Sequence, residues 1–362
     1  MSPSLQQAAP AGPWPPRFEM LEGIRGLAAL GVVLAHLGIV AIGHFSVMVF
    51  FVISGYCITA SANQCMRRGV GFADFMRRRI RRIYPPYLFA LGLYAITRLV
   101  KWYLGGPNDL DRSLLVWIQN LTLTQWMSVP FAPIDWPSDN PTLLVAAFWS
   151  LNYEEQFYLV VALAMLAAVH ARLTLAAVIA APAVLAVVWN FIVPDGWVTG
   201  LFIEYFAHFA LGSALYFTQC EATRRDSTWW MAAALGALAI ACSIGILAAR
   251  PGPAPRAFAE LLSLCAFTAA LLLLRPAGER LARHVLWRPV AALGTISYSL
   301  YLIHQFNLTL IERAVDQLPL QGASRSIGMV ALMLVIATVF WYACERPFLN
   351  ASLPDPQART RA

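Results

Sequence analysis

Apolar residues along this chain gather in long runs. A bilayer core needs about 20 apolar residues per helix. Windows of that length predict ten spans, near residues 19–41, 45–63, 86–104, 145–168, 173–193, 198–218, 229–249, 257–274, 290–311 and 324–344. The predicted fold is all-α, a polytopic transmembrane helix bundle. Segment 113–128 is too polar for a span and reads as lying along the interface. Residues 1–17 are rich in Pro, Ala and Gln and read as a flexible cytoplasmic tail. They lack the basic start, apolar run and small-residue cleavage site of a removable signal peptide. No repeat or linker divides the rest, so one membrane domain is expected over 18–347, with a second cytoplasmic tail at 348–362.

Composition sharpens this picture. The 362 residues are 59% hydrophobic and only 12% charged, with a mean hydropathy of +0.62. Soluble domains carry about 25% charged residues. An ordinary soluble enzyme, a disordered chain and a secreted disulfide scaffold are thereby excluded. The net charge of +7 comes almost wholly from arginine. In a membrane chain such charge sets orientation, so nucleic acid is not an expected partner. The connector 64–85 holds Arg67, Arg68, Arg77, Arg78, Arg79, Arg81 and Arg82, which places it in the cytoplasm. Alternating from there puts both termini inside, with 18 cations inside and seven outside. The outward connector 105–143 is acidic and long enough to cap the bundle. The six cysteines show no metal-site spacing and occupy no outward loop, so neither a metal site nor a disulfide is expected.

Ionisable groups within spans are costly and usually face a cavity. Arg25 and His36 lie eleven residues apart, which returns them to nearly one helix face about 16 Å apart along the axis. A guanidinium can grip phosphate with several donors. An imidazole can take a proton from a hydroxyl and return it. The plainer reading makes Arg25 an interfacial anchor and His36 a bundle histidine. Glu154 and Tyr158 share a face by their spacing of four. They could orient a histidine, bind a sugar hydroxyl, or belong to an aromatic belt. Glu204 and His208 share the same spacing and are expected to neutralise one another. His304 closes a hydroxylated stretch containing Ser297 and Tyr298, whose hydroxyls could equally tie helices together. The run from Arg77 to Arg82 could contact lipid headgroups or hold a phosphate-bearing ligand. The Ser54-Gly55 step reads as a site of close helix packing.

Together these segments resemble the acyltransferase-3 family of membrane O-acyltransferases. The resemblance rests on blocks in family order. Leu21-Glu22-Gly23-Ile24-Arg25 leads, ten residues on, to His36. Phe50-Phe51-Val52-Ile53-Ser54-Gly55 follows, then Arg78, Arg79, Arg82, Ile83, Pro85 and Tyr87. Trp149-Ser150-Leu151 with Glu154, Phe157 and Tyr158 comes next. Ser297-Tyr298, Leu302-Ile303-His304 and Glu345-Arg346-Pro347 complete the series. Glu22 stands where the family commonly has aspartate.

The resemblance implies an acyl-CoA donor substrate, usually acetyl-CoA, with no permanently bound cofactor. It implies a hydroxyl acceptor on an extracytoplasmic glycan or glycolipid and residence in the inner membrane. CoA phosphates are expected against Arg25 with Arg78, Arg79 or Arg82, and the pantetheine arm along the first helix. His36 would act as base or transient acyl carrier, with Glu154 orienting it or the acceptor. Tyr158, Ser297, Tyr298 and His304 are candidate substrate contacts. Some relatives carry an appended hydrolase-like domain. The roughly fifteen residues after the last span leave acceptor recognition to outward loops or a separate acceptor-binding partner. The competing reading is a transporter or flippase of an envelope polysaccharide precursor, although no inverted repeat is visible.

Overall fold

Apolar runs without internal breakers fold as helices because a lipid-exposed backbone must satisfy its own hydrogen bonds. The computed structural model describes residues 18–128, 132–133, 142–192, 197–198, 200–220, 238 and 255–349. Helices dominate. They are α1 (Met20–His36), α2 (Gly43–Arg67), α3 (Phe72–Tyr103), α4 (Leu114–Thr122), α5 (Trp149–Ala171), α6 (Leu175–Ile192) and α7 (Phe206–Cys220). The second half adds α8 (Pro255–Leu273), α9 (Arg275–Ala282), α10 (Arg288–Thr295), α11 (Ser297–Ile303), α12 (Leu308–Val315) and α13 (Ala323–Phe340). A two-residue antiparallel pairing joins Ala132–Pro133 to Trp197–Val198.

The expectation of ten full-length spans is only partly met. Among the described residues, four helices are long and apolar enough to cross a membrane: Gly43–Arg67, Phe72–Tyr103, Ala146–Ala171 and Ala323–Leu349. A fifth is reached if the pair Ala259–Leu273 and Arg275–Ala282, bent by 70°, counts as one span. The window at 229–249 and both tails lie outside the described residues, apart from Leu238 and 348–349. Elsewhere the reason is local. Helix α1 has 17 residues and a rise of about 26 Å, short of a bilayer core of about 30 Å. The window at 290–311 is divided by breaks at Ile296 and at 304–307. The third span begins earlier than expected, because α3 runs continuously through Pro85 and Pro86. Segment 113–128 contains α4, whose Leu114, Leu115, Ile118 and Leu121 are exposed while Gln119 and Asn120 are buried. That inverted face suits a helix lying against lipid.

Small residues bring backbones together where the site is built. A side chain at Gly26 would meet Gly294 N at 2.4 Å, and one at Gly294 would meet Glu22 O at 2.0 Å. Helices α1 and α10 therefore touch main chain to main chain. Gly55 and Gly212 do the same for α2 and α7, against Phe209 O and Val52 O. This is the packing expected of the Ser54-Gly55 step. Thr59 and Ser213 add a buried 2.7 Å hydrogen bond across that seam.

Glu204 and His208 do not form the expected mutual pair. Helix α7 starts only at Phe206, so Glu204 precedes it in a 3-10 turn and helical periodicity does not relate the two. Glu204 instead accepts a hydrogen bond from the Tyr153 hydroxyl. His208 faces Glu260 at 3.4 Å, and the same carboxylate meets His44 at 2.9 Å.

Candidate active site

Three guanidinium groups converge at one end of the bundle. Arg79 and Arg82 lie one turn apart on α3, and Arg82 is within electrostatic reach of Arg25 on α1. One Arg25 Nη donates to Gly294 O at 2.9 Å. The Nε atoms of Arg25 and Arg79 are buried with no partner among the described residues. Buried donors are normally satisfied, so this end is suited to an anion. Arg78 departs from the group: its Nε donates to Asp74 O at 3.2 Å within its own helix.

From this cluster a polar stripe runs along α5. Ser150, Glu154 and Tyr158 recur at intervals of four and therefore share a face, about 12 Å from first to last. The Arg79 guanidinium lies 5.7 Å from the Tyr158 ring centroid. Tyr158 donates to Glu154 Oε1 at 2.5 Å, and Ser54 on α2 donates to the same oxygen at 3.2 Å. Beside this stripe a cleft between α3 and α5 is lined by Arg79, Ile83, Tyr84, Glu154, Glu155 and Tyr158, among others. At the far end Ser150 meets the Tyr301 hydroxyl at 2.6 Å.

Helix α11 runs alongside. Its Ser297 donates to Gly294 O at 2.7 Å and its Tyr298 to Ile83 O at 3.0 Å. Both protons are thus spent on backbone carbonyls, which assigns these hydroxyls to helix bracing in this arrangement. Tyr301 donates to Ala147 O. His304 follows at the helix end, fully buried.

His304 meets His36 edge to face, with ring centroids 4.8 Å apart. Each Nδ1 contacts a carbonyl, Val32 O at 2.9 Å for His36 and Tyr301 O at 2.7 Å for His304. A carbonyl can only accept, so both Nδ1 atoms carry hydrogen. The Nε2 of His304 is buried and unpartnered among the described residues, while His36 is exposed. Glu154 is not the group that orients His36. That part falls to Val32 O, because α1 ends at His36 and its last turn supplies the carbonyl.

Residues 18–346 match the acyltransferase-3 family of acyltransferase domains. The chain belongs to that family. The acyltransferase is 28% identical over 347 residues to membrane-bound transacylase BcsY of Komagataeibacter xylinus, covering 93% of this chain and 84% of the relative. It is 34% identical over 105 residues to protein 2 in the picA locus of Rhizobium radiobacter, covering 27% of this chain and 54% of that one. The O-acetyltransferase OatA of Staphylococcus aureus is 27% identical over 155 residues, which cover 41% of this chain and 25% of OatA. No solved structure matches the chain. The protein is therefore a membrane acyltransferase, and neither fold nor relatives support the transport reading.

Two features of this acyltransferase site were not legible as functional. Ser54 was expected only to allow close packing, yet it also reaches Glu154. Glu345 was read only as part of a family block. It is buried, and its Oε2 accepts from Ser299 N at 3.2 Å and Ser299 Oγ at 2.5 Å. Arg25 and Arg82 lie within electrostatic reach of it. It closes a π-helical turn, Trp341–Glu345, at the end of α13. Such turns are frequent at functional sites, but an apolar run gives no sign of one.

Proposed function

We propose that the protein moves an acyl group, acetyl from acetyl-CoA in the first instance, to a hydroxyl of an extracytoplasmic glycan or glycolipid. The observation that carries this reading is the pairing of an arginine cluster holding unsatisfied buried donors with two imidazoles, joined by the Ser150–Glu154–Tyr158 face. CoA phosphates dock at Arg25, Arg79 and Arg82. The pantetheine arm follows α5 and α11, and the thioester reaches His36. His36 Nε2 takes the proton of the acceptor hydroxyl as its oxygen attacks the thioester carbonyl. The C–S bond breaks, and the departing CoA thiolate recovers that proton from the imidazolium. Names of relatives support the O-acyl assignment: one is an O-acetyltransferase.

In this reading the protein resides in the inner membrane with both termini and the arginine cluster cytoplasmic. The apolar helices too short to span alone complete a ten-span bundle. Acceptor recognition falls to the outward loops or to a separate acceptor-binding protein.

The test is thioester turnover by purified protein in liposomes given acetyl-CoA, read as released CoA thiol. Turnover that requires His36 is the expected result. Wild-type turnover by a well-folded His36→Ala variant would refute the assignment. Mass spectrometry of envelope glycans with and without the protein identifies the acceptor.

A further inference from the structure

Between α8 and α11 the chain turns by 70° and runs through α9 into the start of α10. Two close approaches pin this elbow to α1. A side chain at Gly278 would lie 2.3 Å from Met20 Sδ, and one at Gly23 would lie 2.5 Å from the Trp287 ring. His284 fixes the intervening turn by accepting from Leu286 N at 3.3 Å. The elbow is thus a shaped ledge packed against the first turns of the helix that carries Arg25.

Its outer surface is amphipathic. Leu273, Leu274, Leu281, Val285 and Leu286 are exposed, with Leu286 at 75%. Arg280, Arg283 and Arg288 are also exposed, and no acidic partner is found for them among the described residues. Arg275 differs, since Glu279 neutralises it at 2.9 Å. Arg280 and Arg283, three apart, fall on neighbouring positions of one face. Exposed leucines next to exposed guanidinium groups, on a helix bent by 70° from the apolar α8, are the pattern of a segment lying in the plane of the interface.

We infer that residues 275–288 form an in-plane binding surface for anionic phospholipid headgroups. The leucines enter the acyl-chain boundary, and Arg280, Arg283 and Arg288 hold the lipid phosphates. Charge complementarity and continuity with the lipid-facing side of α8 favour this occupant over a soluble partner. The bound headgroups then fix the height of α1 at its arginine end.

The inference is tested with purified protein in neutral phosphatidylcholine mixed micelles titrated with phosphatidylglycerol, bound lipid being counted by native mass spectrometry. Wild type should retain phosphatidylglycerol in preference to phosphatidylcholine. The combined variant Arg280→Gln, Arg283→Gln, Arg288→Gln should lose affinity for it by about fivefold per arginine. Its thermal midpoint in phosphatidylcholine alone should be unchanged, since these side chains are exposed and have no ion-pair partner among the described residues. Undiminished phosphatidylglycerol binding by that variant would overturn the inference. Weakened acetyl-CoA binding with lipid binding intact would overturn it too, by assigning the arginines to the nucleotide.

Discussion

His36 and His304 come from opposite ends of the sequence and meet edge to face, 4.8 Å between ring centroids. One ring is open and the other is sealed beneath it. A general base contributes typically about 10²–10⁴-fold. His36→Gln should therefore lower kcat by about that factor while the protein accumulates and inserts as wild type. His304→Gln should lower kcat less, because it acts on the orientation and charge of His36 rather than on the acceptor. Single-turnover measurements of CoA release compare the two directly.

The guanidinium cluster should act on the donor. Arg79→Gln removes a charge next to Arg82 and a buried donor that has no partner among the described residues. The expected outcome is a KM for acetyl-CoA raised by about tenfold to a hundredfold, in line with 1.5–3 kcal/mol for a hydrogen bond to a charged group. Arg78→Gln should move it much less, since Arg78 is turned back on Asp74 O. Steady-state kinetics at varied acetyl-CoA separates them.

Glu154 Oε1 receives both Tyr158 and Ser54. Tyr158→Phe deletes one of these bonds while keeping the ring under Arg79. A loss of about 1.5–3 kcal/mol in stability is expected for a hydrogen bond to a charged acceptor, read as a lower thermal midpoint. Ser54→Ala should cost less, its bond being longer.

Backbone contact between α2 and α7 leaves no space at Gly55. Gly55→Ala would bring a carbon 2.0 Å from Phe209 O, so the helices must separate. Overpacking of this kind costs about 1–3 kcal/mol. Reduced thermal stability is expected, with donor KM unchanged in the fraction that remains folded, as checked by thermal melts alongside kinetics.

Much of this was legible because lipid imposes simple rules. The apolar runs locate most of the helices, α1 among them, with Arg25 in its second turn and His36 at its last residue. The four-residue interval of Glu154 and Tyr158 survives as a hydrogen bond. Other features depend on where helices stop, which hydropathy does not encode. Glu204 and His208 share helical spacing on paper, but the helix begins between them. His304 lies in a continuous apolar window, yet a break after Ile303 is what sets it against His36. The unsatisfied donors of Arg25 and Arg79 emerge only when four distant segments are brought together.

The turn Trp341–Glu345 holds one more residue than a regular α-turn would. Winding the same five residues as ordinary α-helix would rotate everything beyond them by about 100°. The carboxylate of Glu345 would then swing away from Ser299, and two arginines would lose their shared counter-ion. Helix winding at this point, as much as residue identity, sets the electrical balance around Arg25 and Arg82.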